Sequence, residues 1–239
     1  MLSAVRLLRR IRARPVTVAC ALLIVSMAGA GCTSDAPEHS RTTGNTLSLD
    51  VDADLTDTTY TLRNQNGSTV RVPDRFLGAP VLVGTIYTSC PNVCPRITAN
   101  MKAIRDRLPD STAVQFVSLT FDPHRDTPSR LSAYRERFAL TGTDWQFLTG
   151  DTTTIARLTE RLDVRFQIKG TERSFPAADT AESYVFTHSN QITLIDAEGR
   201  VRAEYAGSQT PPELLIKDLR TIQEEERSSG DRGTDRAGA

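Results

Sequence analysis

Two cysteines, Cys90 and Cys94, stand in the stretch TIYTSCPNVCPRITANM, each followed by a proline. Residues of this type at this spacing have three uses. Side chains at i and i+4 of a helix have Cβ atoms about 5–6 Å apart, so both thiols can face one point and ligate one metal ion. The Cα spacing at i and i+4 also falls within the roughly 4.4–6.8 Å range of a disulfide, so Cys90–Cys94 can be a redox pair if the turn rearranges. The third use is inert packing. Free N–H groups at a helix start favour thiolate over thiol, and Arg96 adds positive charge. Pro91 and Pro95 restrict the turn and remove two N–H donors.

A metal site needs a third donor. His188, in YVFTHSNQITLID, lies on the approach to an apolar strand. The approach reads Thr187-His188-Ser189, with no proline of the kind dithiol-exchange enzymes usually carry beside their cysteines. An imidazole there suits metal binding better than dithiol exchange, although a loop histidine bonded to backbone is the plainer alternative. Two thiolates and one imidazole form a soft, low-coordinate set that selects Cu(I) or zinc. Structural zinc wants a fourth ligand, whereas Cu(I) accepts three. Cu(II) oxidises thiolates readily and would require a partner or a controlled redox step. In FDPHRDTP, Asp122 is expected at the C-terminal end of a strand, where α/β ligand sites gather, with Arg125 and Asp126 pairing to fix the loop. His124 is expected in solvent, and His39 falls in a polar spacer.

These residues must be positioned by the elements around them. TYTLRNQNGSTVRV reads as a hairpin turning at Asn66-Gly67. APVLVGTIYTS and AVQFVSLTF are continuous apolar runs, as strands buried on both faces should be. PRITANMKAIRDRL is helical, with Ile97, Met101 and Ile104 on one face. TPSRLSAYRERFAL is a helix with Thr127 as N-cap, Pro128 at the first position, and Leu131, Tyr134 and Phe138 aligned. WQFLTG is a short strand and DTTTIARLTERL a helix capped by Asp151. NQITLIDAEGRVRAEYAG is a second hairpin turning at Glu198-Gly199, and PPELLIKDLRTIQEEE a closing helix with Leu215, Leu219 and Ile222 inward. The order predicts an α/β, thioredoxin-like sandwich: a central mixed sheet flanked by helices, with an N-terminal β-hairpin. The cysteines fall where the first buried strand meets its helix.

The ends of the chain differ in kind. The first 31 residues hold five of the 29 basic residues and no acidic one; the remainder carries 24 against 29, a net charge near −5. A basic stretch ending at Arg14 precedes the uncharged run VTVACALLIVSMAGAG, which marks residues 1–31 as a signal segment. Ala28-Gly29-Ala30 fits ordinary cleavage, while small residues before Cys32 fit a lipobox in which Gly29 replaces the usual leucine. Retention as an uncleaved anchor is the third outcome, though the run is short against the ~20 residues a bilayer requires. The lipoprotein reading, with Cys32 lipidated, is preferred. It places the domain on the extracytoplasmic, periplasmic side of a bacterial membrane. Residues 32–47 read as a flexible spacer, 48–226 as the folded domain and 227–239 as a disordered tail. With Cys20 in the apolar run, only Cys90 and Cys94 belong to the folded domain. No basic patch with interleaved aromatics points to nucleic acid.

Taken together, YTSCPNVCP, LTFDPHRDTPSRLSAYRERF, WQFLTG and THSNQITLIDAEGRV resemble the Sco/SenC family of copper-binding thioredoxin-like proteins, over about Leu49 to Glu225. The resemblance implies that Cys90, Cys94 and His188 are copper ligands and Asp122 a supporting acidic residue. It implies a membrane-tethered copper chaperone for the dinuclear copper centre of cytochrome c oxidase. The partners would be the copper-bearing oxidase subunit and another copper chaperone. Two alternatives use the same residues: a thiol-disulfide reductase acting through a Cys90/Cys94 redox pair on the oxidase subunit, and a redox or copper sensor. A peroxide-reducing enzyme fits the two-proline CxxxCP pattern poorly.

Overall fold

The structure, a computed structural model, describes residues 53–142, 144–177 and 183–237. The signal segment, the spacer and the lipidation candidate Cys32 lie outside the described residues. Among the described residues no helix is long and apolar enough to cross a membrane.

A seven-stranded mixed sheet organises the domain. Strand β3 (Val81–Ile86) is buried at every residue and lies between β4 (Gln115–Thr120), parallel to it, and β8 (Gln191–Ile195), antiparallel to it. Strand β5 (Trp145–Thr149) continues the parallel set beside β4. The predicted hairpin, β1 (Tyr60–Asn64) and β2 (Thr69–Val72), extends the same sheet past β5, antiparallel to it. Strand β9 (Val201–Ala206) closes the other edge, giving the order β2-β1-β5-β4-β3-β8-β9. Gly67 supplies the positive φ that the first hairpin turn requires, and the Asn64 side chain accepts the Asn66 and Ser68 amides.

Helix α1 (Val93–Arg105) packs on β3 and on α4 (Pro212–Ala237), with Ile97, Met101, Ile104, Leu215, Leu219 and Ile222 fully enclosed. Each such side chain contributes about 1.5–3 kcal/mol by leaving water. Helix α2 (Pro128–Arg137) begins as expected, Thr127 Oγ1 accepting the Arg130 amide with proline at the first position. Asp151 caps α3 (Thr152–Arg161) through the Thr154 amide.

Three expectations need correction. First, Cys90 precedes α1, so the cysteines are not neighbours on one helix; Cys94 alone sits in its first turn. Second, α4 runs on through Ala237, where a disordered tail was expected from Arg227. No proline interrupts the stretch, and the Ser228 hydroxyl donates back to the Glu224 carbonyl, so the helical path is continuous. Third, β6 (Phe166–Ile168) and β7 (Phe186–His188) form a separate two-stranded antiparallel ribbon, and His188 is the last residue of β7 rather than a loop residue.

Candidate metal centre

Strand β3 delivers the chain into the cysteine turn. The Cys90 amide donates to the Tyr87 carbonyl at 3.1 Å, folding the chain back before α1 starts. The side chain of the N-cap residue Asn92 makes no capping hydrogen bond. Cys90 Sγ takes that place, accepting the Cys94 amide at 3.3 Å, while the Tyr87 amide donates to Cys94 Sγ at 3.4 Å. A helix N-terminus presents unpaired N–H groups, and the one on Cys94 is turned onto the Cys90 sulfur. The two thiols therefore converge through a turn and a cap, not through helical periodicity. Cys94 is 0% and Cys90 8% exposed. Both are free thiols in this structure, with no disulfide between them.

The imidazole arrives from the ribbon. His188 Nε2 lies 3.7 Å from Cys94 Sγ and 3.9 Å from Cys90 Sγ. On the far side of the ring, Nδ1 is 2.7 Å from the Ser189 carbonyl oxygen. A carbonyl only accepts, so Nδ1 carries a hydrogen and Nε2 is the ring nitrogen turned to the sulfurs. The ring is held edge-on to Tyr87 (5.7 Å between centroids) and against Phe121 (5.0 Å), with Phe186 packed on both of those aromatics.

The three donor atoms lie within 4.8 Å of one another, and among the described residues they are the one such group of His, Cys, Asp or Glu. An ion bonded at about 2.3 Å to thiolate and about 2.0 Å to imidazole, with those bonds about 120° apart, holds sulfur and nitrogen about 3.7 Å apart. Both observed sulfur–nitrogen separations fit such an ion. The donor set is soft, which suits a thiophilic ion.

The two thiols are electrostatically unequal. Cys90 is pulled down to about 3, first by the hydrogen bond from the Cys94 thiol, then, against burial, by the His188 contact and the Cys94 and Asn92 amides. Cys94 is pushed up, first by burial and then by the neighbouring Cys90 sulfur. Arg96, expected from sequence to favour thiolate, is not among the leading causes. Burial first, and the Cys90 charge second, hold the Tyr87 hydroxyl up to about 12.

Asp122 is buried but is not one of these donors. Its carboxylate accepts from the Tyr184 hydroxyl at 2.6 Å and pairs with Arg125. The expected Arg125–Asp126 pairing is therefore replaced by Arg125–Asp122, because Nε of Arg125 reaches back to the residue three before it. Asp126 turns the other way and accepts from the Thr88 amide at 3.0 Å, the Thr88 hydroxyl and the Thr120 hydroxyl. Burial first pushes the Asp126 carboxyl above its ordinary value, against those hydrogen bonds. His124 is exposed. Sequence reasoning passed over Tyr87, Phe121, Phe186 and Tyr184, which read as ordinary core aromatics; their only signal is position beside the ligand candidates.

Several solved structures are similar to this chain. ScoI of Bradyrhizobium japonicum, determined with copper bound, is 26% identical, covers 69% of this chain and 98% of its own, and superposes with a TM-score of 0.54. A SCO1/SenC family lipoprotein of Bacillus anthracis is 29% identical over 71% of this chain and 95% of its own, TM-score 0.58. BsSco, a member of the Sco family of cytochrome c oxidase assembly proteins in which a disulfide switch was identified, is 25% identical over 71% and 94%, TM-score 0.56. The pattern of the SCO1/SenC family itself matches residues 50–224, spanning the cysteine turn, the Asp122–Asp126 segment and the His188 ribbon, and the chain belongs to that family.

Proposed function

We propose that this protein is an extracytoplasmic copper chaperone. Cys90, Cys94 and His188 hold the ion, and the domain passes it toward the dinuclear copper centre of cytochrome c oxidase. The observation that carries this reading is the convergence of two sulfurs and one ring nitrogen within bonding reach of one ion. The copper-bound ScoI structure supports the choice of metal, and the assembly role of the BsSco family supports the recipient. A soft three-donor site is matched to Cu(I). With its pKa pulled down to about 3, Cys90 meets the ion as a thiolate, whereas Cys94, pushed up, must release a proton. The Ser189 carbonyl keeps the imidazole in the tautomer that ligates.

The mature protein is proposed to begin at a lipidated Cys32, with residues 32–47 as spacer and 48–226 as the Sco/SenC domain. The lipoprotein character of the Bacillus anthracis relative supports this anchoring, and an acyl group on Cys32 by mass spectrometry of the mature protein tests it.

A second reading is favoured by the inequality of the thiols. In a thiol-disulfide reductase, the Cys90 thiolate attacks a partner disulfide, forming a mixed disulfide and releasing one partner thiolate. Cys94 then loses its proton and attacks Cys90 Sγ, yielding the Cys90–Cys94 disulfide and the second partner thiolate. His188 has no required part in that exchange.

His188→Ala, Cys90→Ser and Cys94→Ser separate the two readings. The chaperone reading expects His188→Ala to weaken Cu(I) binding by about 10–100-fold and impair oxidase assembly. If His188→Ala leaves both unchanged while either cysteine variant abolishes assembly, the reductase reading replaces it.

A further inference from the structure

Three segments meet around the metal centre, and one of them supplies no ligand. The cysteine turn leaves β3, His188 ends β7, and Asp122–Asp126 links β4 to α2. We propose that the Asp122–Asp126 segment positions both ligand-bearing segments: Asp126 holds the cysteine turn through Thr88, and Asp122 with Arg125 holds the histidine ribbon through Tyr184. The proposal rests on the copper reading above for the identity of the ion.

The ribbon needs such a hold. Strands β6 and β7 pair with each other and not with the seven-stranded sheet, which the chain rejoins only at Gln191, so no pairing with that sheet holds His188 itself. Tyr184 lies two residues before β7 and is gripped at both ends. Its hydroxyl donates to Asp122 Oδ1 at 2.6 Å, and its carbonyl accepts from Arg125 Nη1 at 2.9 Å. The guanidinium also covers the Tyr184 ring at 3.7 Å from the centroid. The Arg125–Asp122 pair behind this grip is buried, with side chains 8% and 0% exposed.

On the opposite side, Asp126 engages Thr88, two residues before Cys90, through both the amide and the hydroxyl. The same carboxylate takes the Thr120 hydroxyl at the end of β4, which ties the cysteine turn to the sheet. Within the segment, the Arg125 and Asp126 amides both donate to the Asp122 carbonyl, at 3.2 and 2.9 Å, so the two clamps share one compact turn. Burying charged side chains costs stability, and apolar replacement of a buried pair is often neutral or stabilising. Three buried charged residues in one turn are better explained by the geometry they impose than by the stability they add.

Thr88→Val and Tyr184→Phe each remove one clamp hydroxyl at nearly constant volume. Cu(I) affinity is measured by competition with a chromophoric chelator, in the wild-type and His188→Ala backgrounds, beside the urea midpoint of the metal-free proteins. Each variant is expected to lower affinity about ten-fold in the wild-type background. In the His188→Ala background the Tyr184→Phe loss should vanish, because it acts through the imidazole, while the Thr88→Val loss should persist. In metal-free protein, the ring nitrogen NMR signals of His188 should move with Tyr184→Phe. Equal Tyr184→Phe losses in both backgrounds, or wild-type affinity in both variants, overturn the positioning while the copper reading stands. Absence of Cu(I) binding by the wild type overturns the copper reading instead, and unmoved His188 signals in metal-free Tyr184→Phe then refute the positioning on their own.

Discussion

Gly84 sits in β3 against the Ile97 and Met101 side chains of α1, and replacing it by alanine puts a methyl group where there is no room. A Cβ at this position would lie 2.4 Å from Met101 Sδ and 3.1 Å from Ile97 Cγ2. Neither neighbour can retreat into solvent, since Met101 and Ile97 are both 0% exposed. Overpacking of a closed core costs about 1–3 kcal/mol. Against this, alanine narrows the unfolded ensemble and returns about 0.4–1 kcal/mol. The expected net loss is about 1–2 kcal/mol, or about 5 °C in Tm for a domain of this size. Cys94 rides on the same helix, so outward displacement of α1 also separates its sulfur from His188 Nε2, now 3.7 Å away.

Urea denaturation of Gly84→Ala, Met101→Ala and the double variant measures the effect. Met101→Ala alone leaves a cavity and should cost about 2–5 kcal/mol. In the double variant the new methyl enters that cavity, so the two losses should fall short of additivity by at least about 1 kcal/mol. Gly84→Ala within about 0.5 kcal/mol of wild type would show that the helix yields freely, and strict additivity would show that Gly84 and Met101 do not share the space. Either result refutes the close-approach argument.

Two further outcomes follow from the charged groups at the site. The folded pKa of Asp126 is raised, so the fold favours the protonated form; stability from this group is full below the unfolded value near 3.9 and is lost as pH rises through the raised folded value. Asp126→Asn, whose amide can serve the same three neighbours, should therefore gain stability relative to wild type as pH rises across that window, and urea midpoints showing a pH-independent difference would contradict it. Because Cys90 is held as thiolate and Cys94 as thiol, iodoacetamide should modify metal-free protein at Cys90 alone, at a rate nearly flat from about pH 5 to 8. A rate rising ten-fold per pH unit would identify an ordinary thiol.

The elements that can be read from the chain are those whose signal is local. Strands β3 and β4 declare themselves by unbroken apolar runs, and Asn66-Gly67 and Glu198-Gly199 mark turns because the second residue needs positive φ, as Gly67 and Gly199 have. Thr127-Pro128 and Asp151 start helices for reasons contained in a few residues. The β6–β7 ribbon is different. Each strand has three residues, too few for any periodicity to register, and their partnership spans the long stretch between Ile168 and Phe186. Only tertiary context pairs them, and that pairing is what brings His188 to the thiols.

The same division runs through the site. Cys90, Cys94 and His188 can be picked out because their side chains have uncommon chemistry, whatever surrounds them. The manner of their meeting cannot, because Cys90 reaches Cys94 as a cap on the amide of a helix it does not belong to. Nor can the choice Arg125 makes between Asp122 and Asp126, three and one residues away, since both carboxylates are within reach of its side chain and the sequence alone points to Asp126. The choice is settled by what else each carboxylate must satisfy: Thr88 and Thr120 hydroxyls claim Asp126, leaving Asp122 for the guanidinium. A ligand is recognisable by its own atoms, whereas a residue that places a ligand is recognisable only by the atoms it is bonded to, and those come from β3, β4 and the ribbon at once.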